Sequence, residues 1–292
     1  GKYIAAGPLA SRWLQQQFAS DATLIRCGAQ VLGEPAAGYL SHPGYAALPK
    51  APYRYQEMLG VIWRENPSCY LQQGEEAVLM AALMESDNAG RPLIDAWIAQ
   101  SGLTAEAWLE KLFDATVIPF YHLLCRYGVA LIAHGQNVTL VMKDAIPQRI
   151  LLKDFQGDMR LVDEDFPQAA SLPEQVKSVT ARLSADYIIH DLQTGNFVTV
   201  LRFISRLTLH SGVSETRFYQ ILAEVLRRYM AAHPDLTERF AKFDLFKPQI
   251  IRVILNPVKL TFSEHDGGSR MLPNYVTDLD NPLFLVSQES AQ

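Results

Sequence analysis

The sequence predicts an α+β fold, on three observations. Apolar residues recur at helical spacing through much of the second part of the chain, short apolar runs broken by Gly and Pro lie between residues 128 and 152, and there is no internal repeat or low-complexity tract. The expected architecture is a mostly helical domain with a small antiparallel sheet over residues 101–292, preceded by a smaller mixed α/β segment over residues 1–100. The soft boundary lies near Ser101.

The elements follow in order. Pro8 suits the first turn of a helix carrying Leu9, Trp13 and Phe18. Thr23 to Leu32 has the branched, alternating look of a strand. Gly, Pro, Ser and His cluster from Gly33 to Pro52 without periodicity, which reads as a loop. Met58 to Trp63 reads as a strand, and Glu75 to Met84 as helix. Thr104 is an N-cap for a helix bearing Trp108, Leu109, Leu112 and Phe113. The runs Val129–Ala133, Val138–Met142 and Ile150–Leu152, punctuated by Gly128, Gly135 and Pro147, fit strands or a hairpin. Beyond them the chain reads as mainly helical. Val176, Val179, Leu183 and Tyr187 keep a 3.6-residue period, and Phe218 to Tyr229 does so after a capping Ser214.

Composition narrows the function. With 292 residues, 49% hydrophobic and 20% charged, this is an ordinary folded chain able to bury a large core. A net charge of -5 gives no bulk attraction to nucleic acid. The three cysteines, Cys27, Cys69 and Cys125, are far apart and form no C-x-x-C pair, so a reducing, cytoplasmic setting is expected rather than a disulfide framework or zinc site. No apolar run reaches the ~18 residues of a membrane helix, so a soluble protein is expected. The chain begins with Gly rather than Met, so a longer natural chain is also expected.

Chemistry concentrates in His134-Gly135-Gln136-Asn137, an apolar hairpin, and Lys153-Asp154-Phe155-Gln156-Gly157. Magnesium prefers oxygen ligands, keeps several waters, and bridges one or two protein groups to nucleotide phosphates. Asn137 and Asp154 are seventeen positions apart, about the length of a strand out, a turn and a strand back. Kinase-type phosphotransferases hold their metals with such an Asn and Asp. Lys143, Arg149, Lys153 and Arg160 share the region and suit phosphates or a polycarboxylate. From spacing alone the alternatives stay open: an Asn and an Asp near a hairpin also make turns and caps, and a His in an apolar strand is commonly a hydrogen-bonded core residue.

The run Tyr127-Gly128-Val129-Ala130-Leu131-Ile132-Ala133-His134-Gly135-Gln136-Asn137, with Lys153-Asp154 after it, resembles the signature of the IucA/IucC family of siderophore synthetases that work independently of nonribosomal peptide synthetases. Gly7-Pro8, Arg64-Glu65-Asn66-Pro67, Glu75 ahead of Ala81-Ala82-Leu83, and Pro119 through Leu124 agree with it, so the likeness spans most of the chain. The resemblance implies a cupped-hand fold, with residues 1–100 in the fingers and 101–292 in the palm, and ATP in the cleft. It implies Asn137 and Asp154 at magnesium and the nucleotide phosphates, His134 at the reacting carboxylate, and Gln136 supporting the loop. Arg149, Arg252 and Lys259 are weaker candidates for substrate contact. Three departures stand out. Ile132 replaces a Glu found in many members, Lys153 replaces an Arg, and the ATP motifs that precede Gly7-Pro8 in the family are missing.

By that resemblance the whole enzyme would use Mg-ATP to adenylate a carboxylate of citrate or its monoamide. It would then join the product to an amine such as N6-acetyl-N6-hydroxylysine, releasing AMP and pyrophosphate, with His134 and Lys153 as catalytic groups. A small-molecule kinase, releasing ADP, is the second reading. The third is a non-catalytic half that docks with a missing N-terminal half or dimerises, so that the isolated chain is inactive.

Overall fold

The computed structural model describes residues 4–40, 42–47, 59–254, 274–275 and 278–289, and the chain is α+β: helices packed around small sheets. Helix α1 (Gly7–Ser20) begins with Pro8 as expected and buries Trp13, Leu14 and Phe18. The expected strand from Thr23 is instead helical at first. Asp21 Oδ1 accepts from Thr23 N and Leu24 N at 2.8 and 3.0 Å and starts α2 (Ala22–Arg26), because an Asp cap that satisfies two free amides outweighs the strand preference of Thr and Ile. Only β1 (Gln30–Val31) is strand there.

The expected loop from Gly33 contains β2 (Ala36–Leu40) and the short α3 (Pro43–Ala46). Strand β2 pairs antiparallel with β3 (Leu59–Trp63), whose distance along the chain hides the pairing from local pattern. The part of that loop from 48 to 52 lies outside the described residues. The expected helix from Glu75 to Met84 is β4 (Glu75–Leu79) followed by a 3-10 turn (Met80–Met84), because β4 is recruited as a sheet edge.

Helix α4 (Leu93–Ser101) turns at left-handed Gly102 into α5 (Ala105–Tyr127), where Thr104 Oγ1 accepts from Ala107 N as predicted. At 23 residues α5 is about 35 Å long and nearly enclosed by other elements. It ends at Gly128, φ +64°, where a Cβ would lie 2.7 Å from Val162 Cγ1 and 2.8 Å from the Phe166 ring, so glycine is required both by backbone and by space. The chain continues through β5 (Val129–Leu131), β6 (Val138–Lys143), β7 (Ile146–Leu152), the one-turn α6 (Phe155–Asp158) and β8 (Met159–Val162). The helical period read across 176–187 is broken into α7 (Glu174–Lys177), β9 (Arg182–Leu183) and α8 (Ala185–Ile188), because β8 captures β9 in parallel register. Helix α9 (His190–Leu192) runs into a π-helix (Gln193–Leu201), α10 (Arg202–Leu207) and α11 (Glu215–Ala231), whose cap is the expected Ser214.

The main sheet has the order β1-β7-β6-β4, with β1 parallel to β7 and the other pairs antiparallel. It takes strands from both sides of Ser101, and one continuous core joins Trp13 and Leu14 to Trp108, Phe113 and Phe218. Strands β6 and β7 meet in a two-residue turn in which Asp144 and Ala145 both have positive φ, 51° and 60°, the geometry that matches strand twist. A bulge at Val141/Met142 lets Pro147 sit within β7.

Arg149 pins this sheet. Its Nη1 and Nη2 donate to Glu75 Oε1 and Oε2 at 2.5 and 2.7 Å, and Nη2 also donates to Tyr70 O at 2.8 Å. The guanidinium holds the Glu75 carboxyl down at about 2, against an ordinary 4.5. A depressed carboxyl contributes stability that is complete above the unfolded value and lost as pH falls through the folded one. Acid titration of the melting temperature is therefore expected to show a fall between pH 4.5 and about 2 to which this pair contributes. Arg149→Met is expected to remove that contribution and lower stability by about 1–3 kcal/mol at neutral pH, because it leaves the half-buried Glu75 carboxylate without its counter-charge and with only Gln72 N donating to it.

Candidate functional site

Four strand ends converge on one small cleft. Ile132 and His134 follow β5, Asn137 precedes β6, Lys153 and Asp154 follow β7, and Asp158 precedes β8. The Val138↔Leu152 pair closes the base of the hairpin, so Asn137 and Asp154 leave it side by side, as the strand-length argument anticipates. Both line the cleft with Phe120, Leu131, Ile132, Lys153 and Asp158, and the cavity they enclose is only about 10 Å³. That is below the roughly 300 to 1,000 Å³ of a pocket that encloses a whole small ligand.

Asn137 Nδ2 donates to Asp158 Oδ2 at 2.5 Å, and His134 Nε2 lies 3.7 Å from the same oxygen. Asp158 is thus the hub that joins the two signature residues. The sequence reasoning missed it, although Asp154 and Asp158 bracket a single helical turn, the one signal that could have found it. Asp154 sits at φ +66°, a left-handed conformation that Asp adopts more readily than most residues, and its Oδ1 accepts from Arg64 Nη2. Arg64 Nη2 also reaches Glu34 Oε1 at 3.0 Å. Glu34 has a fully buried side chain, and burial pushes its carboxyl above the ordinary value while Arg64 opposes the rise. Arg64, quoted above only within the Arg64-Glu65-Asn66-Pro67 run, and Glu34 therefore stand beside the site in roles not read from sequence.

The turn that carries His134 is held by backbone. Asn137 N donates to His134 O and Ala81 N to Gly135 O, at 2.9 and 3.0 Å. A Cβ on Gly135 would stand 3.0 Å from both Ala81 N and Ala81 Cα, and backbone cannot swing aside as a side chain can. Gly135→Ala is expected to cost about 1–3 kcal/mol by overpacking. It should also displace His134 and Asn137, so activity is expected to fall more than the melting temperature suggests when both are measured on one preparation.

The other predicted residues divide. Lys153 lines the cleft, and Gln136 is exposed at the tip of the turn. Arg149 is committed to Glu75 and Tyr70 rather than to the cleft. Arg252 is exposed, and Lys259 lies outside the described residues. Among the described residues no group of three or more His, Cys, Asp or Glu is placed to hold a metal ion. The donors that converge, Asn137, Asp154 and Asp158, are hard oxygen ligands, and the Asn137 amide turns its N–H towards Asp158, which leaves its carbonyl oxygen for a cation. Such a set suits magnesium completed by phosphates and water better than a softer metal.

No helix among the described residues is long and apolar enough to cross a membrane. Residues 1–85 match the family model described as IucA / IucC family, and residues 106–269 match one described as ferric iron reductase FhuF-like transporter. The chain is 70% identical over 289 residues to an aerobactin synthase of Escherichia coli, covering 99% of this chain and 50% of that protein. It is 60% identical over 283 residues to an aerobactin synthase of Vibrio mimicus, covering 97% and 48%. It superposes on the solved structure of the aerobactin synthetase IucC of Klebsiella pneumoniae with a TM-score of 0.86 and 64% identity, over 98% of this chain and 48% of that one. The chain thus spans about half the length of the curated relatives it matches.

Proposed function

The chain belongs to the IucA/IucC family and, over residues 106–269, to the FhuF-like family, and from that premise we propose that it is the half of an ATP-dependent siderophore synthetase that carries the metal-phosphate side of the active site. The supporting observation is the convergence of Asn137, Lys153, Asp154 and Asp158 on one cleft at three strand ends. The complete protein would activate a carboxylate of citrate or a citryl monoamide as an acyl adenylate and join it to an amine, N6-acetyl-N6-hydroxylysine being the best fit to the aerobactin synthases. Carboxylate oxygen attacks the α-phosphorus, pyrophosphate leaves, and the amine then displaces AMP.

Asn137 and Asp154 would hold magnesium, which supplies charge neutralisation at the phosphates. Asp158 orients the Asn137 amide and lies near His134 Nε2, which directs the imidazole to the reacting carboxylate. Lys153 offers a point charge to phosphate or citrate, without the fork of an arginine. Arg64 keeps Asp154 turned into the cleft. A cleft of this size, in a chain half as long as its relatives, supports a shared active site whose nucleotide clamp lies in the rest of the protein. The isolated chain is accordingly read as inactive alone, with the other half, or a second copy, as its partner. The family description that mentions ferric iron reduction finds little support in the residues themselves. The matched stretch holds one cysteine, Cys125, which is buried with its thiol pushed well above the ordinary value, so no thiol pair is available there.

The test uses the full-length protein carrying this chain, with ATP, magnesium, citrate and hydroxylamine. AMP and pyrophosphate that depend on citrate are expected. ADP in their place would make the protein a kinase, and no citrate dependence would overturn the ligase reading.

A further inference from the structure

The β2–β3 pair turns to solvent a face that carries no polar side chain. Directly opposed residues of an antiparallel pair share a face, and Leu40↔Leu59, Gly38↔Val61 and Ala36↔Trp63 are such pairs. Leu40, Leu59, Trp63 and Val61 are 65%, 60%, 54% and 48% exposed. The Trp63 ring lies over Gly38, where a Cβ would stand 3.7 Å from its Cζ3, so the six positions make one apolar surface. Ala37 and Ile62 alternate with them and are half-buried, β2 packing against α1 and both strands against the 3-10 turn Ile4–Ala6.

An antiparallel pair with one face in water normally sets polar residues on that face, and this one sets none. Two strands alone are marginally stable in water, and no third strand joins them among the described residues. Contiguous exposed apolar residues, unlike scattered ones, mark an interaction surface. Length and position indicate what covers this one. The chain spans 50% of one aerobactin synthase and 48% of another, so each of those proteins has about as many residues again.

The strand pair also leads to the cleft. Arg64, directly after Trp63, donates from Nη2 to Asp154 Oδ1, and Glu34 Oε1, two residues before Ala36, accepts from the same nitrogen at 3.0 Å. Glu65 N donates to Gly33 O at 2.9 Å and Gly33 N to Glu65 Oε2 at 2.7 Å, which ties the base of the pair together. A cavity of about 10 Å³ cannot enclose a nucleotide, so on the reading above a second wall comes from outside this chain, and a wall on the Arg64 side stands beside the apolar face. Resting on the reading that this chain is one half of a longer enzyme, we propose that the outer face of β2–β3 seats the other half of that protein. Its contact surface is aliphatic and aromatic, packs on Leu40, Leu59, Val61 and Trp63, and closes the cleft beside Arg64. A charge set against these side chains would lose its hydration with no counter-charge to replace it.

The experiment replaces Leu40, at the end of β2, by p-benzoylphenylalanine in the full-length protein carrying this chain. Photolysis, digestion and mass spectrometry then name what lies on the face. Links within one molecule to residues outside the 292 of this chain are expected. Links joining two copies, links to residues of this chain only, or no links would each overturn the inference. Val61→Glu in the same protein is expected to lower the melting temperature by about 5 °C, because it buries a charge without a partner. A solvent-facing position tolerates such a change, so an unchanged melting temperature would overturn the inference as well. The Leu40 links decide the matter should Val61→Glu fail to fold. Citrate-dependent pyrophosphate release by the unsubstituted protein keeps the two readings apart. Its absence sinks the ligase reading, and its presence with links elsewhere sinks this one alone.

Discussion

Asp154→Asn is expected, on the proposed ligase reading, to lower kcat of the full-length protein carrying this chain by about 10²–10³, the loss typical of removing one group that stabilises transition-state charge. The substitution keeps the side-chain shape, and Asn tolerates the left-handed conformation at φ +66°, so the turn after β7 should persist. The melting temperature should therefore move little, since the ion pair to Arg64 is partly exposed and contributes modestly. On the ligase reading proposed above the lost charge would act on the phosphates and their metal, so kcat is expected to fall while the KM for citrate stays within a few-fold. A large rise in the citrate KM with normal kcat would instead make Asp154 a substrate-binding group. The split is read from initial rates of pyrophosphate release.

Trp108→Ala is expected to have the largest effect on stability, about 4 kcal/mol. The Trp108 side chain is fully buried on α5, and its Nε1 donates to Ala145 O at 2.8 Å. The cavity accounts for most of the loss, and the orphaned carbonyl of the β6–β7 turn adds to it. Ala145 is one of the two positive-φ residues of that turn, so the indole braces the strained end of the hairpin whose other end carries Asn137 and Asp154. Trp108→Phe, which keeps most of the volume and drops the hydrogen bond, should cost only about 1–2 kcal/mol. Urea denaturation measures both, and equal losses in the two variants would show that the bond, rather than the filled space, is what matters.

The sequence by itself determined the parts whose information is local. Thr104 and Ser214 cap α5 and α11 where read, because a cap acts within three residues of itself. The hairpin was legible because Val138–Met142 and Ile150–Leu152 are apolar runs close along the chain, and with it came the adjacency of Asn137 and Asp154. Only the tertiary structure decided the rest. Strands β2, β4 and β9 form because distant strands offer open edges, and neither a loop-like composition nor a helical period reveals an edge that lies 19 or more residues away. The same holds for the site. Arg149 looked like a substrate cation until Glu75, 74 positions away, was seen to hold it, and Arg64, 90 positions from Asp154, became a site residue only through folding. Charges find partners by proximity in space, which spacing along a chain records only when the two are near neighbours.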